Sequence, residues 1–245
     1  MKSEILSVRE IRRFEEQIGI PGIGMQGQEK IRKARILVIG AGGKGASALQ
    51  ALVAAGAGYI GICDNYPVEE PVLPRQSLYG ENDLGKLKAI VSRQRLLEVA
   101  KLTQIELHNI CLSETNIGKI IGDYDLVLDA TDNFVAHYLI SDGVIAVGKP
   151  LVFGSVYHNT SQVSVFNYRG GPTLRSLFPV APHSKGIPYD QGITAMHMLY
   201  TITGNLMANE ALKIILGMDT TLNGNLLIFN IKDYSCLLKE VKSNE

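Results

Sequence analysis

An apolar run ends in a glycine-rich turn at Arg35-Ile-Leu-Val-Ile-Gly40-Ala-Gly42-Gly43-Lys44-Gly45 and leads into an alanine-rich segment. A second apolar run follows and is closed by Asp64. This order predicts a strand, a tight turn, a helix, and a second strand with a carboxylate at its end. Glycines let the backbone turn sharply and let phosphate oxygens approach the N–H groups that begin a helix. A carboxylate at the end of the second strand lies where ribose hydroxyls bind. The stretch predicts a nucleotide site and leaves the nucleotide open.

The segments that follow alternate in type as far as residue 154. Their patterns predict strands at 35–40, 59–64, 104–109, 125–129 and 150–154, and helices at 43–55, 86–100, 114–121 and 133–147. The strand runs are apolar throughout rather than alternating, which is typical of parallel strands covered on both faces. We therefore expect an α/β fold with a Rossmann-like, doubly wound, mostly parallel sheet. Its ligand should lie at the carboxyl ends of the strands.

The pattern changes after Gly154. Alternating polar and apolar residues predict added antiparallel strands near 161–167, 226–229 and 236–241. Between them lie a loop rich in proline and glycine, 168–191, and a long apolar helix, 194–216, which Gly217 ends. At the other end of the chain, residues 7–34 predict two helical pieces around a break at 20–24. We expect a single domain over residues 1–245.

The composition excludes several classes of protein. Lys plus Arg and Asp plus Glu both number 24, so no net charge indicates nucleic acid or an acidic membrane surface as a partner. The first ten residues carry charges every few positions and cannot form a secretory signal, and no apolar run is long enough to span a bilayer. We therefore expect a cytoplasmic protein. Its three cysteines are far apart and form no C-x-x-C pair, which argues against a disulfide framework or a four-thiolate zinc site.

Three charged positions distinguish between nucleotides. A dehydrogenase that binds NAD is the first alternative, because the glycines and Asp64 fit its fingerprint. Arg75 and Lys88, however, have the charge to neutralise a triphosphate, and Asp132 has the group to hold a magnesium ion against it. Each also has a plain structural interpretation: the two cations as solvated surface charges, and Asp132 as the N-cap of the helix that follows. Their common location at strand ends and helix starts favours the triphosphate.

The order of the motifs resembles that of the ThiF/MoeB/HesA family, bacterial relatives of ubiquitin-activating enzymes. The resemblance rests on 17–28, the glycine turn, Arg75-Gln76, 125–133, 148–152 and 162–166, and it extends from about residue 9 to the end of the chain. It implies a homodimer that binds ATP and Mg²⁺. It also implies adenylation of the C-terminal glycine of a ubiquitin-like sulfur-carrier protein that ends in Gly-Gly, with release of pyrophosphate.

The resemblance also assigns residues to roles. It places Arg75 and Lys88 on the family's phosphate contacts, Asp132 on its metal-linked carboxylate and Asp64 on the ribose. The residues expected to hold the rest of the nucleotide are Gly40, Gly42, Gly43, Gly45 and Asn133.

The chain also departs from the family pattern. Glu16 stands where the family has an arginine that reaches into the partner's active site, and Val72 replaces an asparagine. Thr173 and Ser176 occupy the place of the first zinc-binding cysteine pair, and the C-terminus lacks the second. Residues 189–191 take the place of a loop cysteine. We therefore expect no zinc and no covalent-cysteine step. A degenerate member that binds nucleotide or a ubiquitin-like partner without turnover is the alternative to an active enzyme.

Overall fold

One eight-stranded sheet organises residues 5–179 and 195–241, the part of the chain that the computed structural model describes. The strand order is β3-β2-β1-β4-β5-β6-β7-β8. The first five strands pair in parallel, and the last three extend the sheet in antiparallel pairs. The strands are β1 Arg35–Ile39, β2 Tyr59–Cys63, β3 Gln104–His108, β4 Leu126–Asp129, β5 Leu151–Tyr157, β6 Thr160–Phe166, β7 Asn225–Asn230 and β8 Cys236–Glu240. The predicted fold class is confirmed.

Helices cover both faces of this sheet. They are α1 Val8–Arg13, α2 Glu15–Ile18, α3 Gly24–Lys33, α4 Gly43–Ala54, α5 Lys88–Val99, α6 Ile117–Gly122, α7 Phe134–Ala146, α8 Leu174–Leu177 and α9 His197–Leu216. Successive residues of β1 point to opposite faces: Ile36 and Val38 enter the core beneath α4 and α9, and Leu37 enters the core beneath α6 and α7. This two-sided burial explains why the strand runs are apolar without alternation.

The boundaries differ from the predicted ones in three places. The N-terminal segment forms three helices rather than two pieces, because the chain breaks at Phe14 as well as at 19–23. The helix expected from residue 114 begins at Ile117, since Asn116 Oδ1 accepts the N–H of Ser113 and forms a turn there. The described part of the last helix begins at His197 and ends at Gly217, which has a left-handed φ of +76°. Residues 180–194, which include its expected start, lie outside the described part. No helix among the described residues is both long and apolar enough to cross a membrane.

The strand order reverses between β1 and β4, so a crevice opens at their carboxyl ends. The glycine turn after β1 and the loop at 130–133 after β4 form its two sides. The turn and the loop touch: a Cβ built at Gly40, whose φ is +91°, would lie 2.8 Å from the carbonyl oxygen of Ala130. A Cβ at Gly45 would overlap the carbonyl oxygen of Gly40. Only glycine permits this close packing of the turn.

A buried polar pair holds the start of the loop after β4. The Asp129 carboxylate has no solvent exposure. Its Oδ2 lies 2.7 Å from Nδ1 of His137 on α7, and its Oδ1 accepts the N–H and the hydroxyl of Thr131. Burial raises the pKa of Asp129, but the imidazole of His137 and the two Thr131 donors outweigh that effect and hold the pKa below its ordinary value. The carboxylate therefore ties the loop to α7.

We predict that Gly45→Ala destabilises the protein by about 1–3 kcal/mol, because the new methyl group would force the turn apart. Gly42→Ala is the matched control, since a Cβ there would meet no atom within 4 Å. Urea unfolding followed by circular dichroism measures both variants. Equal losses of stability in the two variants would contradict the packing argument.

We predict that Asp129→Ala lowers the free energy of unfolding by about 3–5 kcal/mol at neutral pH, because it leaves the donors of His137 and Thr131 buried without an acceptor. Asp129→Asn, which keeps one acceptor oxygen, should lose less. Urea unfolding at pH 7 measures the difference.

The same pair predicts a pH dependence. A folded-state pKa below the unfolded value of about 3.9 means that the stabilisation by Asp129 is present above that pH and is lost as the pH falls through the folded-state pKa. The stability gap between wild type and Asp129→Asn should therefore be constant near neutrality and shrink below about pH 4. A gap that is unchanged at pH 3 would argue against a stabilising carboxylate.

Candidate functional site

A pocket of about 420 Å³ occupies the crevice at the carboxyl ends of β1, β2 and β4. Its polar lining comes from Gly40, Gly42, Asp64, Lys88 and the loop at 130–133. Its mostly apolar lining comes from Cys63, Ile110, Cys111, Leu112, Val135 and Leu139. Its position at the switch point of the sheet is the one predicted from the order of the motifs.

The glycine turn presents the N-terminus of α4 to this pocket. Gly42 is the N-cap residue, and no side chain caps the first turn of the helix. The first N–H groups of an α-helix have no acceptor within the helix, and the helix dipole adds a partial positive charge there. A Cβ at Gly42 would meet no atom within 4 Å, so this side of the turn is open and offers the backbone donors to an anion. The corresponding side of Gly43 is instead packed against the carbonyl of Arg75 and the side chain of Tyr200.

Asp64 forms part of the pocket wall, as predicted. Its Oδ2 accepts the N–H of Ala41 at 2.7 Å, and its Oδ1 accepts the N–H of Tyr66 at 2.8 Å. These bonds join the end of β2 to the glycine turn and fix the orientation of the carboxylate. Each oxygen retains acceptor capacity for a ligand hydroxyl.

Lys88 lies in the pocket wall and Arg75 lies beside it. Lys88 is the first residue of α5, is half-buried, and has its ammonium 5.9 Å from the centre of the Tyr66 ring. Arg75 ends a 3₁₀ turn, Glu70–Arg75, and donates to the hydroxyl of Tyr200 on α9 at 3.2 Å. Its backbone carbonyl packs against Gly43. The structure therefore places Lys88 in the pocket wall, and it places Arg75 next to the glycine turn with its charge close enough to Asp132 to lower the pKa of that carboxyl group.

Asp132 does not cap α7, contrary to the structural interpretation offered for it. Asn133 is the N-cap, because its Oδ1 accepts the N–H of Ala136 at 2.8 Å. Asp132 instead accepts a hydrogen bond from the ammonium of Lys44 at 2.8 Å. Partial enclosure by the protein raises the pKa of Asp132, but the charge and hydrogen bond of Lys44, together with the charges of His137 and Arg75, outweigh this effect and lower the pKa overall.

Lys44 is the site residue that the sequence reasoning missed. Its side chain is 2% exposed, and its ammonium also donates to the carbonyl of Thr131 at 2.8 Å. The available signal was its position: a lysine near the start of an alanine-rich, buried helix needs a partner for its charge. The sequence alone does not say where that partner is.

Two of the departures from the family pattern have clear positions. Thr173 and Ser176 form the capping contact at the start of α8, with the N–H of Thr173 donating to Ser176 Oγ at 3.2 Å. Over residues 5–179 and 195–241, no three His, Cys, Asp or Glu side chains form a cluster suited to a metal ion. Val72 lies in the 3₁₀ turn that ends at Arg75. Residues 189–191, the place of the loop cysteine, are outside the described part.

Glu16 is exposed on α2 and is far from its own pocket. The neighbouring Gln17 donates to the carbonyl of Ala55, at the C-terminal end of α4. A helix of 12 residues is about 18 Å long, and the glycine turn lies at its other end. A side chain at position 16 therefore does not reach the pocket of its own chain.

Comparison with known proteins gives the site its context. A profile of the ThiF family matches residues 14–245. The sulfur carrier protein adenylyltransferase of Thermus thermophilus is 39% identical over 240 residues, which cover 96% of this chain and 89% of that protein. The probable adenylyltransferase/sulfurtransferase MoeZ of Mycobacterium tuberculosis is 37% identical over 234 residues, which cover 94% of this chain and 60% of MoeZ. This chain thus spans about three fifths of MoeZ.

A solved structure has the same fold as this chain. Escherichia coli MccB, crystallised with ATP, matches with a TM-score of 0.84 and 18% identity, covering 100% of this chain and 74% of MccB. The names of the curated relatives confirm the predicted enzyme class, a nucleotidyltransferase. Given a family match over residues 14–245 and relatives near 40% identity over almost the whole chain, this chain belongs to the ThiF family.

Proposed function

We propose that this protein is an ATP-dependent adenylyltransferase that activates the C-terminal glycine of a ubiquitin-like carrier protein and releases pyrophosphate. The observation that carries the proposal is that one pocket combines an uncapped helix N-terminus, the cation Lys88 and the carboxylates of Asp64 and Asp132. The names of the relatives support it, because the Thermus protein is named for adenylating a sulfur carrier protein. A carrier that ends in Gly-Gly is the expected substrate.

The polar and the apolar parts of the pocket lining suit different parts of ATP. The apolar wall formed by Ile110, Leu112 and Leu139 fits a purine ring, and Asp64 accepts hydrogen bonds from ribose hydroxyls. The start of α4 then receives the phosphates. The carrier carboxylate attacks the α-phosphorus, a new acyl–phosphate bond forms, and the bond to the leaving pyrophosphate breaks. Because the carboxylate and the triphosphate are both anions, Lys88 and Arg75 screen their repulsion and stabilise the transferring phosphate.

Magnesium fits this pocket through Asp132. The contact with Lys44 engages Oδ1, one of the two carboxylate oxygens. Mg²⁺ in nucleotide sites is held by one or two carboxylates together with the substrate phosphates, so a cluster of protein ligands is not required. Asp132 would hold the ion through its other oxygen, and the ion would supply charge neutralisation at the phosphates. In this proposal Asp132 holds the ion, and the neighbouring Asn133 fixes the loop by capping α7.

A homodimer in the cytoplasm is part of the proposal. Met198 on α9 is 48% exposed and Met196, its N-cap, is 64% exposed, while Met207 of the same helix is fully buried. Exposed apolar side chains at one end of a core helix favour a subunit interface. A dimer would also allow residues near position 16 to reach the partner's pocket, which they cannot do within their own chain.

A binding protein without turnover is the second candidate, and Glu16 is the observation that favours it. An acidic side chain at a position where the family supplies an arginine removes a charge that would stabilise the transition state. ATP–pyrophosphate exchange, tested with ubiquitin-like proteins that end in Gly-Gly and are encoded nearby, separates the two candidates. An NAD-dependent dehydrogenase has lost its support, because the relatives are adenylyltransferases.

We predict that Lys88→Ala and Arg75→Ala each weaken ATP binding by about 1.5–3 kcal/mol, because each removes a charge-assisted hydrogen bond to phosphate. Calorimetric titration with ATP measures the loss. Lys86→Ala is the matched control: its side chain is more than half exposed, and its ammonium contacts Asp83 rather than the pocket. Unchanged affinity in both site variants would refute the assignment of the site, and tight binding of NAD without ATP would refute the function.

We predict that Glu16→Arg increases the rate of pyrophosphate exchange without a large change in ATP affinity, because the new charge acts mainly in the transition state. Glu15→Arg is the control, since residue 15 is equally exposed on the same short helix. Exchange kinetics and calorimetry separate the two effects. If the wild type is already fast and Glu16→Arg has no effect, Arg12 is the next candidate, because Arg13 already donates to the carbonyl of Val99.

A further inference from the structure

Lys44 stands out among the lysines and arginines of the described residues because it is the buried one, with a side chain that is 2% exposed. A lysine is almost never fully buried unless its charge has a partner. Here the ammonium has two acceptors, Thr131 O and Asp132 Oδ1, both at 2.8 Å. It therefore bridges the start of α4 and the loop after β4, the two sides of the pocket.

The surroundings of Lys44 hold its charge in place. A Cβ built at Gly204 of α9 would overlap the carbonyl oxygen of Lys44, so the backbone of the lysine is packed beneath that helix. On the other side, Thr131 is bonded to the buried Asp129 carboxylate. Both the lysine and its backbone acceptor are thus fixed by buried contacts.

Asp132 occupies a different environment from its partner. Its side chain is 56% exposed and lies in the wall of the pocket, while the ammonium lies beneath it. Without Lys44, an unpaired carboxylate would face the triphosphate of ATP and repel it. Asp64, the other carboxylate of the wall, is occupied by two backbone N–H groups instead. Lys44 therefore supplies the hydrogen-bonded positive charge for the carboxylate of the pocket wall that is not held by backbone N–H groups. His137 and Arg75 add weaker electrostatic contributions.

We propose that Lys44 is a positioning residue whose ammonium neutralises the Asp132 carboxylate before nucleotide binds. Because the carboxylate is already paired, nucleotide binding depends less on a divalent metal ion. The divalent ion then enters with the triphosphate and uses the carboxylate oxygen that Lys44 does not contact. This proposal rests on the proposed function, because it takes ATP as the ligand of the pocket.

The test compares the affinity of the full chain for a non-hydrolysable ATP analogue in EDTA and in MgCl₂, measured by calorimetry. In Lys44→Met, which keeps the length of the stem and removes the charge, the ratio of the two dissociation constants should rise about tenfold or more above wild type. Repulsion by the unpaired Asp132 weakens binding in EDTA, and Mg²⁺ bridges the carboxylate to the phosphates. In Asp132→Asn the ratio should fall below that of wild type. The double variant should resemble Asp132→Asn, because the unpaired carboxylate is gone.

Each outcome bears on the proposal. If Lys44→Met weakens binding equally in EDTA and in MgCl₂, Lys44 has only a structural role and the proposal is wrong. If Lys44→Met does not fold, Asp132→Asn still provides a test, since its side chain is exposed and its amide oxygen can still accept from Lys44; an unchanged ratio in that variant overturns the proposal. If wild type binds no ATP analogue in either buffer, the proposed function fails and this proposal fails with it. Binding by wild type with unaltered ratios in both variants refutes the role of Lys44 and the magnesium assignment of Asp132, and leaves ATP binding intact.

Discussion

The site depends on the close approach of two backbone segments, the glycine turn after β1 and the loop after β4. Gly40 packs directly against the carbonyl of Ala130, and Gly45 packs against the carbonyl of Gly40. Side chains at these positions would push the segments apart and widen the crevice between β1 and β4. The absence of side chains therefore sets the distance between the helix N-terminus and Asp132. That distance determines how far apart the polar groups on the two sides of the pocket lie.

Around this contact, hydrogen bonds hold the glycine turn and the loop after β4 in fixed positions, because few side chains pack between them. Asp129 fixes Thr131, Thr131 and Lys44 are joined, and Asp64 holds Ala41 at the opposite edge of the turn. These groups come from five places in the fold: the turn after β1, the residue that follows β2, α4, β4 and the loop after β4. Buried and satisfied polar networks of this kind are rigid, because breaking any member leaves a donor or an acceptor without a partner. The pocket is thus built before a ligand enters it.

The sequence predicted those features that depend on neighbouring residues. Continuous apolar runs indicated buried parallel strands, the glycines indicated the turn, and Gly217 indicated the end of the last helix, because each signal is carried by local backbone conformation. The partner of Lys44 was not predictable in this way, since Asp132 is 88 positions distant along the chain. The structural interpretation of Asp132 as the N-cap of α7 was also not decidable from the sequence, because Asp and Asn cap helices equally well and the structure has Asn133 in that position. Arg75 was assigned to the phosphates from the resemblance, and its contact with Tyr200 became visible only in the folded chain.

At Gly204 the backbone of α9 packs directly against the carbonyl of Lys44, in the first turn of α4. One face of this helix lies on the first turn of α4, and its N-terminal end carries the exposed methionines. With no Cβ between the two backbones, there is no compressible layer to absorb a displacement of α9 before it reaches residue 44. The helix therefore cannot approach α4 more closely at this contact, and the position of α9 fixes the position of the first turn of α4.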